Sequence, residues 1–398
     1  MFPFLLLLVA PAADPVGFPQ FEMQEIAKDL KIGYAVITAD VNGDGKPDIV
    51  VVDKERVVWY ENPTWKMRTI ITGKTKPDNV CIAAADIDGD GKIDFVLGAG
   101  WKPSDTTTPG TLQWLSRGKT LDEEWTVHPI PCEEPTVHRV QVADLDGSGK
   151  PQIIMAPLQG RGSSAKGNWT DGRPCRILSY AIPKEPGKAE NWKAKVIKEE
   201  FHVIHNFSVV EKGFFLTASF EGVDQHQFTG YGQPSWLSFR IHVANQDNPK
   251  GNRGASEIHW SKATSELQIA TVEPWHGNQI VVYPDRGTNR IVIDDHLRWG
   301  HAIKFADLNN DKNPMIVAGI RDNPNPKLGD TFTEKCGVRI YRNTDGKGEK
   351  WERMLLDEGG VAVEDLAVAD LNGDGKPDII AVGRATGNCR IYWNKGKK

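Results

Sequence analysis

The side chains best suited to chemistry in this sequence are carboxylates at a fixed spacing. In ADLNGDGKPD, Ala369 to Asp378, the residues Asp370, Asn372, Asp374 and Asp378 fill positions 1, 3, 5 and 9 of a short acidic loop. Side-chain oxygens at that spacing, a main-chain carbonyl at position 7 and glycine at position 6 for the sharp turn are what a hard cation such as calcium requires. Gly375 and Lys376 hold positions 6 and 7. An EF-hand would add a bidentate Glu at position 12 between two helices, but here Ala381 stands at position 12 and the flanks, LAVAD and IIAVG, are strand-like. The loop therefore joins two strands.

The same loop recurs as ADVNGDGKPD, with Asp40, Asn42, Asp44 and Asp48, and as ADIDGDGKID, with Asp86, Asp88, Asp90 and Asp94. These three complete copies are expected to hold structural calcium. Two further copies are eroded: ADLDGSGKPQ keeps Asp144 and Asp146 but has Ser148 and Gln152, and ADLNNDKNPM keeps Asp307, Asn309 and Asp311 but ends in Met315. Their occupancy stays open.

Repeats of this kind need strands to carry them. Trp65 with Ile70, Trp125 with Ile130, Trp192 with Ile197 and Trp351 with Leu356 repeat an aromatic-plus-five spacing, and VVWYEN, VRIYRN and CRIYWN are strands ending in aromatics followed by Asn62, Asn343 and Asn394. Each unit reads as strand A, acidic loop, strand B, strand C with its terminal aromatic, then strand D with its Trp. Four short antiparallel strands per 40–60 residues form the blade of a β-propeller. Strand A is expected to start at Tyr34, Val80, His138, His205, Glu257, His301 and Glu364, which makes seven blades over residues 18–398. The fold class is thus all-β: a seven-bladed propeller with calcium-binding A–B loops. The last blade lacks a fourth strand, and Phe21 with Ile26 repeats the aromatic spacing near the N-terminus. An N-terminal strand is expected to close the ring, which removes open edges.

Composition narrows the function classes. A net charge of -5 with acidity concentrated in loops argues against a nucleic-acid surface. Phe4 to Ala10 is a short apolar run, with Ala10 and Ala12 offering a cleavage site, so residues 1–13 are expected to be a signal peptide and the protein secreted or periplasmic. No other run reaches the ~18 residues of a membrane span. The five scattered cysteines imply neither a disulfide framework nor a CxxC metal site.

The acidic loop between strands, as in ADVNGDGKPDIVVV, resembles the FG-GAP or VCBS repeat of integrin-like propellers. More narrowly, HRVQVADLDGSGKP, HVIHNF, RGASEIHW, VEPWHGNQIVVY, GHAIKFADLN, VAVEDLAVADLNGDG and GRATGNCRIYWN together resemble the propeller domain of aldos-2-ulose dehydratase and its bacterial relatives. That resemblance implies a metal-containing lyase that dehydrates 2-keto sugars such as anhydrofructose.

Propeller topology divides the candidate residues between two faces. The A–B loops lie on one face, so the starts of strand A and the ends of strand B open onto the other, around the central channel. His138, His301 and Glu364 stand six positions before their loop Asp, and His205 and Glu257 begin the two blades without an acidic loop. These five residues are the expected ligands of zinc or a similar divalent ion. From strand B ends and neighbouring positions, His276 and Glu273 are the expected bases, and Arg384 and Asp365 complete the catalytic set. Four stretches, 101–110, 157–174, 221–234 and 321–336, read as long B–C loops walling a cleft on this face. They bring Trp101, Trp169, Arg173, Glu221 and Arg321 as expected contacts for a carbohydrate substrate, with His226, Phe228 and Tyr231 beside them. An ion held there would polarise a sugar carbonyl while a nearby base removes the adjacent proton. The alternative is a non-catalytic propeller that binds carbohydrate or protein, its histidines forming a structural cluster. Oligomeric state is not legible in the sequence.

Overall fold

A computed structural model of the chain describes residues 17–230, 235–262, 267–285, 289–321 and 334–397. The expected signal segment, Tyr231 and most of the 321–336 loop lie outside the described residues. The described chain forms seven four-stranded antiparallel sheets. Blade 1 runs Ala35–Ala39, Asp48–Val52, Arg56–Glu61 and Lys66–Thr72 as strands A to D. The other A strands are Cys81–Ala85, Val137–Ala143, Ile204–Glu211, Ile258–Ser261, Gly300–Ala306 and Val363–Ala369. Among the described residues the one helical turn is 3₁₀, Ala189–Asn191.

The ring closes as the aromatic spacing predicts. Gln20–Ala27 is the outermost strand of blade 7 and pairs with Cys389–Gly396, with Phe21 opposite Asn394 and Met23 opposite Tyr392. The B strands are apolar without alternation because neighbouring blades cover both faces: Asp48–Val52, Gln152–Pro157 and Met315–Ile320 are buried at every position. Blade stacking is tight enough to demand glycine at Gly319, where a Cβ would lie 2.3 Å from Cγ1 of Val363 in the next blade.

Blade 4 corrects one expectation. Residues 221–234 are not a long B–C loop: strand B (Phe214–Ser219) turns at once into strand C (Gly222–Thr229), and Ser235–His242 is strand D. Polar residues disguise strand C, yet several find partners within the blade. Asp224 pairs with Arg240, and His226 lies between the hydroxyls of Thr217 and Ser238. Burial pushes the His226 pKa down to about 3, so His226 is a neutral packing residue and Phe228 stacks near Trp236 in the same sheet.

The asparagines after strand C tie blades together. Asn62 Nδ2 donates to Leu371 O of blade 7 (2.7 Å), and Asn394 Nδ2 donates to Leu308 O of blade 6 (2.8 Å) and Pro377 O (3.1 Å). Each reaches the position-2 carbonyl of a neighbouring blade's loop. Asn394→Ala should therefore lower unfolding free energy by about 1–3 kcal/mol, because buried acceptors lose their donor. A urea midpoint equal to wild type would show that the latch carries no stability.

Candidate metal centre

Strand A starts at the mouth of the central channel, and in four blades it starts with a β-bulge. Pairing skips a residue between Val137 and Arg139, Ile204 and Asn206, Gly300 and Ala302, and Val363 and Asp365. The skipped residues are His138, His205, His301 and Glu364. A bulge leaves its extra residue unpaired and re-aims its side chain, which is how four separate blades turn a polar group inward. Blades 1 and 2 pair without a shift, and Tyr34 and Val80 stand there instead.

His276 reaches the same place from a different element. It follows strand B of blade 5, Gln268–Glu273, in a turn with φ 49°. Gly277 permits this turn, since a Cβ there would sit 2.3 Å from the Glu273 carbonyl. The ligating nitrogens of His205, His276 and His301 all lie within 4.8 Å of one another. Ring centres are 4.6 Å apart for His205 and His276, 5.1 Å for His205 and His301, and 5.0 Å for His276 and His301. Burial holds His138, His205, His276 and His301 well below the ordinary histidine range, reinforced by nearby Arg139 or Arg321. The rings are neutral and keep lone pairs.

The neighbours fix where those lone pairs point. His301 Nδ1 donates to the Glu364 carbonyl at 2.6 Å, leaving Nε2 unprotonated. Arg321 lies 3.4 Å from His276 Nδ1 and can only donate, so His276 carries its proton on Nε2, 2.7 Å from His205 Nε2. His205 Nδ1 then carries a proton and sits 2.8 Å from Glu257 Oε1, short of hydrogen-bond alignment. Glu257 is therefore not grouped with the imidazoles as a ligand. Its carboxylate stands behind His205, as outer carboxylates orient ligand histidines, and also accepts from Arg139 (3.2 Å) and Asn206.

His138 is adjacent, its ring centre 4.7 Å from that of His205, but Arg139 donates to its Nε2 at 3.0 Å. Its lone pair is thus aimed at a guanidinium, and His276 takes the place expected of His138 in the cluster. Glu364 is clamped by Arg321 at 3.0 Å and Arg384 at 2.7 Å, with Oε1 4.0 Å from His301 Nε2. Arg384 is accordingly an ion-pair partner lying over Tyr34. Glu273 is not near the imidazoles in any useful sense: Thr271, Tyr283 and Arg290 saturate its carboxylate inside blade 5. Asp365 stitches blade 7 to blade 1 by accepting from Val36 N at 3.0 Å. It lines a channel of about 700 Å³ to which all seven blades contribute.

Around the cluster stands a wall of partly buried indoles. Trp101 packs on His138 and Trp275 stacks on His276, both at 4.8 Å, and Arg321 lies over Trp299 at 5.2 Å. Trp101, Trp169 and Trp275 pack on one apolar cluster with Leu158, Val203 and Phe220. The exposed Arg173 lies in the same loop as Trp169, whereas Glu221 is engaged by His202 at 3.0 Å. Trp275, Trp299 and Arg139 lie outside the residues the sequence singles out, although Trp275 and Arg139 adjoin His276 and His138, and Trp299 stands two residues before His301.

The acidic loops sit at the other ends of the same strands. Carboxylate oxygens of Asp86, Asp88 and Asp94 lie within 4.8 Å of one another, a geometry suited to one cation. In all three complete loops the position-9 carboxylate (Asp48, Asp94, Asp378) accepts the N–H of the buried position-2 residue.

Two family comparisons match parts of the chain. Residues 40–97 and 329–381 match the FG-GAP-like repeat, and residues 109–286 match the aldos-2-ulose dehydratase β-propeller domain. The second stretch contains His138, His205, Glu257 and His276 but not His301 or Glu364. No curated protein matches significantly. Among solved structures, the chain is similar to BBS1N crystallised with ARL6DN, at 10% identity and TM-score 0.53, covering 94% of this chain and 96% of that one. It is also similar to the extracellular domain of BT4673 from B. thetaiotaomicron, at 9% identity and TM-score 0.51, covering 94% of this chain and 39% of that one. A chain of the mitotic checkpoint complex matches at 9% identity and TM-score 0.52 over 100% of both chains. At these identities the likeness is one of fold.

Because Glu364 holds two guanidiniums, Glu364→Gln should cost about 3 kcal/mol of stability by leaving buried charge uncompensated. Chemical denaturation measures it, and a cost below about 0.5 kcal/mol would mean that Arg321 and Arg384 are effectively solvated.

Proposed function

We propose that this chain is an exported, calcium-braced propeller that acts as a metal-dependent carbon–oxygen lyase on keto sugars or related carbohydrates. The observation that carries the reading is the convergence of His205, His276 and His301, three neutral imidazoles from three blades, at the mouth of the channel. Nitrogen ligands of this number suit zinc or a similar divalent ion with a position left open. Similarity to the dehydratase propeller domain supports the substrate class. The apolar run at Phe4–Ala10 supports export.

The chain's own residues would divide the work. His301 and His205 present Nε2, with Glu257 and the Glu364 carbonyl behind them as orienting groups, and His276 would join them in its other neutral tautomer, its proton moving from Nε2 to Nδ1 as Arg321 turns fully to Glu364, to which it already donates. A divalent ion bound there polarises a carbonyl and acidifies the neighbouring C–H. His138, the next ring along, is the proton acceptor once Arg139 turns fully to Glu257, to which it already donates. Trp101, Trp275 and Trp299 supply stacking faces for a sugar ring, and the enclosure they form limits water around the leaving hydroxide. Arg321 and Arg384 keep Glu364 in place, which in turn fixes His301.

One observation favours the alternative of a carbohydrate- or protein-binding propeller. The 2.7 Å contact between His276 and His205 satisfies both nitrogens without an ion, so the cluster is also stable as a purely structural one. The two readings separate in a single set of measurements. Ultraviolet absorbance follows formation of an unsaturated keto sugar by purified protein, and elemental analysis follows its metal. A lyase should lose activity by more than 100-fold, together with its transition metal, in His276→Ala, and roughly 10–100-fold in Glu257→Gln. Wild-type protein containing calcium alone, inert toward keto sugars with zinc or manganese added, would sink the lyase reading.

A further inference from the structure

The eroded loop of blade 3 keeps the backbone of its complete relatives. Gly147 and Gly149 have φ 76° and 79°, against 80° and 83° at Gly43 and Gly45. What differs is position 9, where Gln152 replaces aspartate. Its Oε1 accepts the Leu145 N–H at 2.8 Å, the bond that Asp48 Oδ2 makes to Val41 N in blade 1. Its Nε2 then donates to Asp146 Oδ1 (3.1 Å), Ser148 Oγ (3.4 Å) and Lys150 O (2.6 Å). Those three acceptors are loop positions 3, 5 and 7, the oxygens that in a complete loop face the cation. The amide orientation is fixed by the network, since the flipped form would set N–H against N–H at Leu145.

We infer that the carboxamide nitrogen of Gln152 stands where the other loops place a cation, so that blade 3 is internally liganded and independent of calcium. The inference rests on the reading of the complete loops as calcium sites. An NH₂ group points two N–H bonds at acceptors without bringing a full charge, and the loop has shed charge to match: Asp at position 5 is Ser148 and Asp at position 9 is Gln152. The remaining carboxylates find partial compensation outside the loop, with Lys212 Nζ 3.3 Å from Asp144. Asp144 Oδ1 is the one ligand position that the amide leaves without a partner. Blade 6 shows no such internal ligand, and its position-5 carboxylate meets a lysine just as those of Asp90 and Asp374 do in the complete loops. Met315 at position 9 offers no oxygen, and the ammonium of Lys397 donates to Asp311 at position 5 (2.9 Å).

Calcium stoichiometry tests this directly. Full-length protein is stripped with chelator, re-equilibrated with calcium alone, and its bound ion counted by equilibrium dialysis with elemental analysis. Wild type is expected to hold three ions, one per complete loop, and Gln152→Asp to hold one more. The double variant Ser148→Asp with Gln152→Asp, which restores the full set of positions 1, 3, 5 and 9, should hold the extra ion more tightly. Wild type holding a fourth ion that Gln152→Asp does not add to would overturn the inference, as would three ions in wild type and in both variants. No calcium in wild type at all would overturn the calcium reading itself, and the inference with it.

Discussion

In four of the five marked blades a buried main-chain N–H just past strand A must find an acceptor, and the blade is arranged to supply one. The donors are Val41, Ile87, Leu145 and Leu371, all buried between blades. An unsatisfied N–H at such a site costs on the order of 1–3 kcal/mol. The acceptor always comes from the first residue of strand B, which pins strand A to strand B at one end and fixes their register from there. Since a one-residue slip would turn every side chain over, this bond also decides which residues face the channel six positions upstream. The position-2 carbonyls of Leu308 in blade 6 and Leu371 in blade 7 receive Asn394 and Asn62. Leu371 thus fixes both the register within its blade and a contact between blades.

At the opposite ends of these strands the register is deliberately broken. Four bulges turn His138, His205, His301 and Glu364 inward, and the cost of unpaired backbone is met by side chains: His301 takes the Glu364 carbonyl, and Arg139 takes the carbonyl of His138. Burial then keeps the imidazoles neutral, and neutrality is what allows rings to lie within about 5 Å of one another without mutual repulsion. The charged residues nearby are paired off separately, Glu364 with Arg321 and Arg384, Glu257 with Arg139. The mouth of the channel is in this way a neutral nitrogen cluster inside a ring of compensated charge.

Much of this was legible in the sequence because repetition marks it. The loops located strand A in five blades, the aromatic-plus-five spacing located strand D, and Phe21 with Ile26 announced the closing strand. The side chains at the channel mouth followed from counting back six residues. What could not be read was which way each group faces and what it meets. Glu273 and His276 are three residues apart at the end of the same strand, yet one is sealed inside blade 5 and the other stands at the mouth. Strand C of blade 4 was missed because Asp224, Gln225, His226 and Gln227 read as loop, and only partners from adjacent strands make them compatible with a sheet. Bulges leave no local signature either, so His138 beside Arg139 looked like a free ligand.

The direct bond between His205 and His276 bears on how such a cluster can exist at all. Buried imidazoles assembled for an ion would leave several polar nitrogens unsatisfied in its absence, and the fold would then depend on the ion for stability. Here the proton on His276 Nε2 occupies the space between the two rings, Arg321 fixes that proton's position, and Glu257 stands ready to take the complementary proton of His205. An ion proposed for this site would compete with that proton for the same lone pair on His205, exchanging one satisfied state for another. The cluster is therefore organised by its own hydrogen bonds, with no ion required to order it. The acidic loops solve the same problem in the opposite way. Their position-5 carboxylates are exposed, while the position-9 carboxylates of Asp48, Asp94 and Asp378 are buried and held by main-chain N–H groups, and in blade 3 the Gln152 amide takes that place and donates to the loop oxygens.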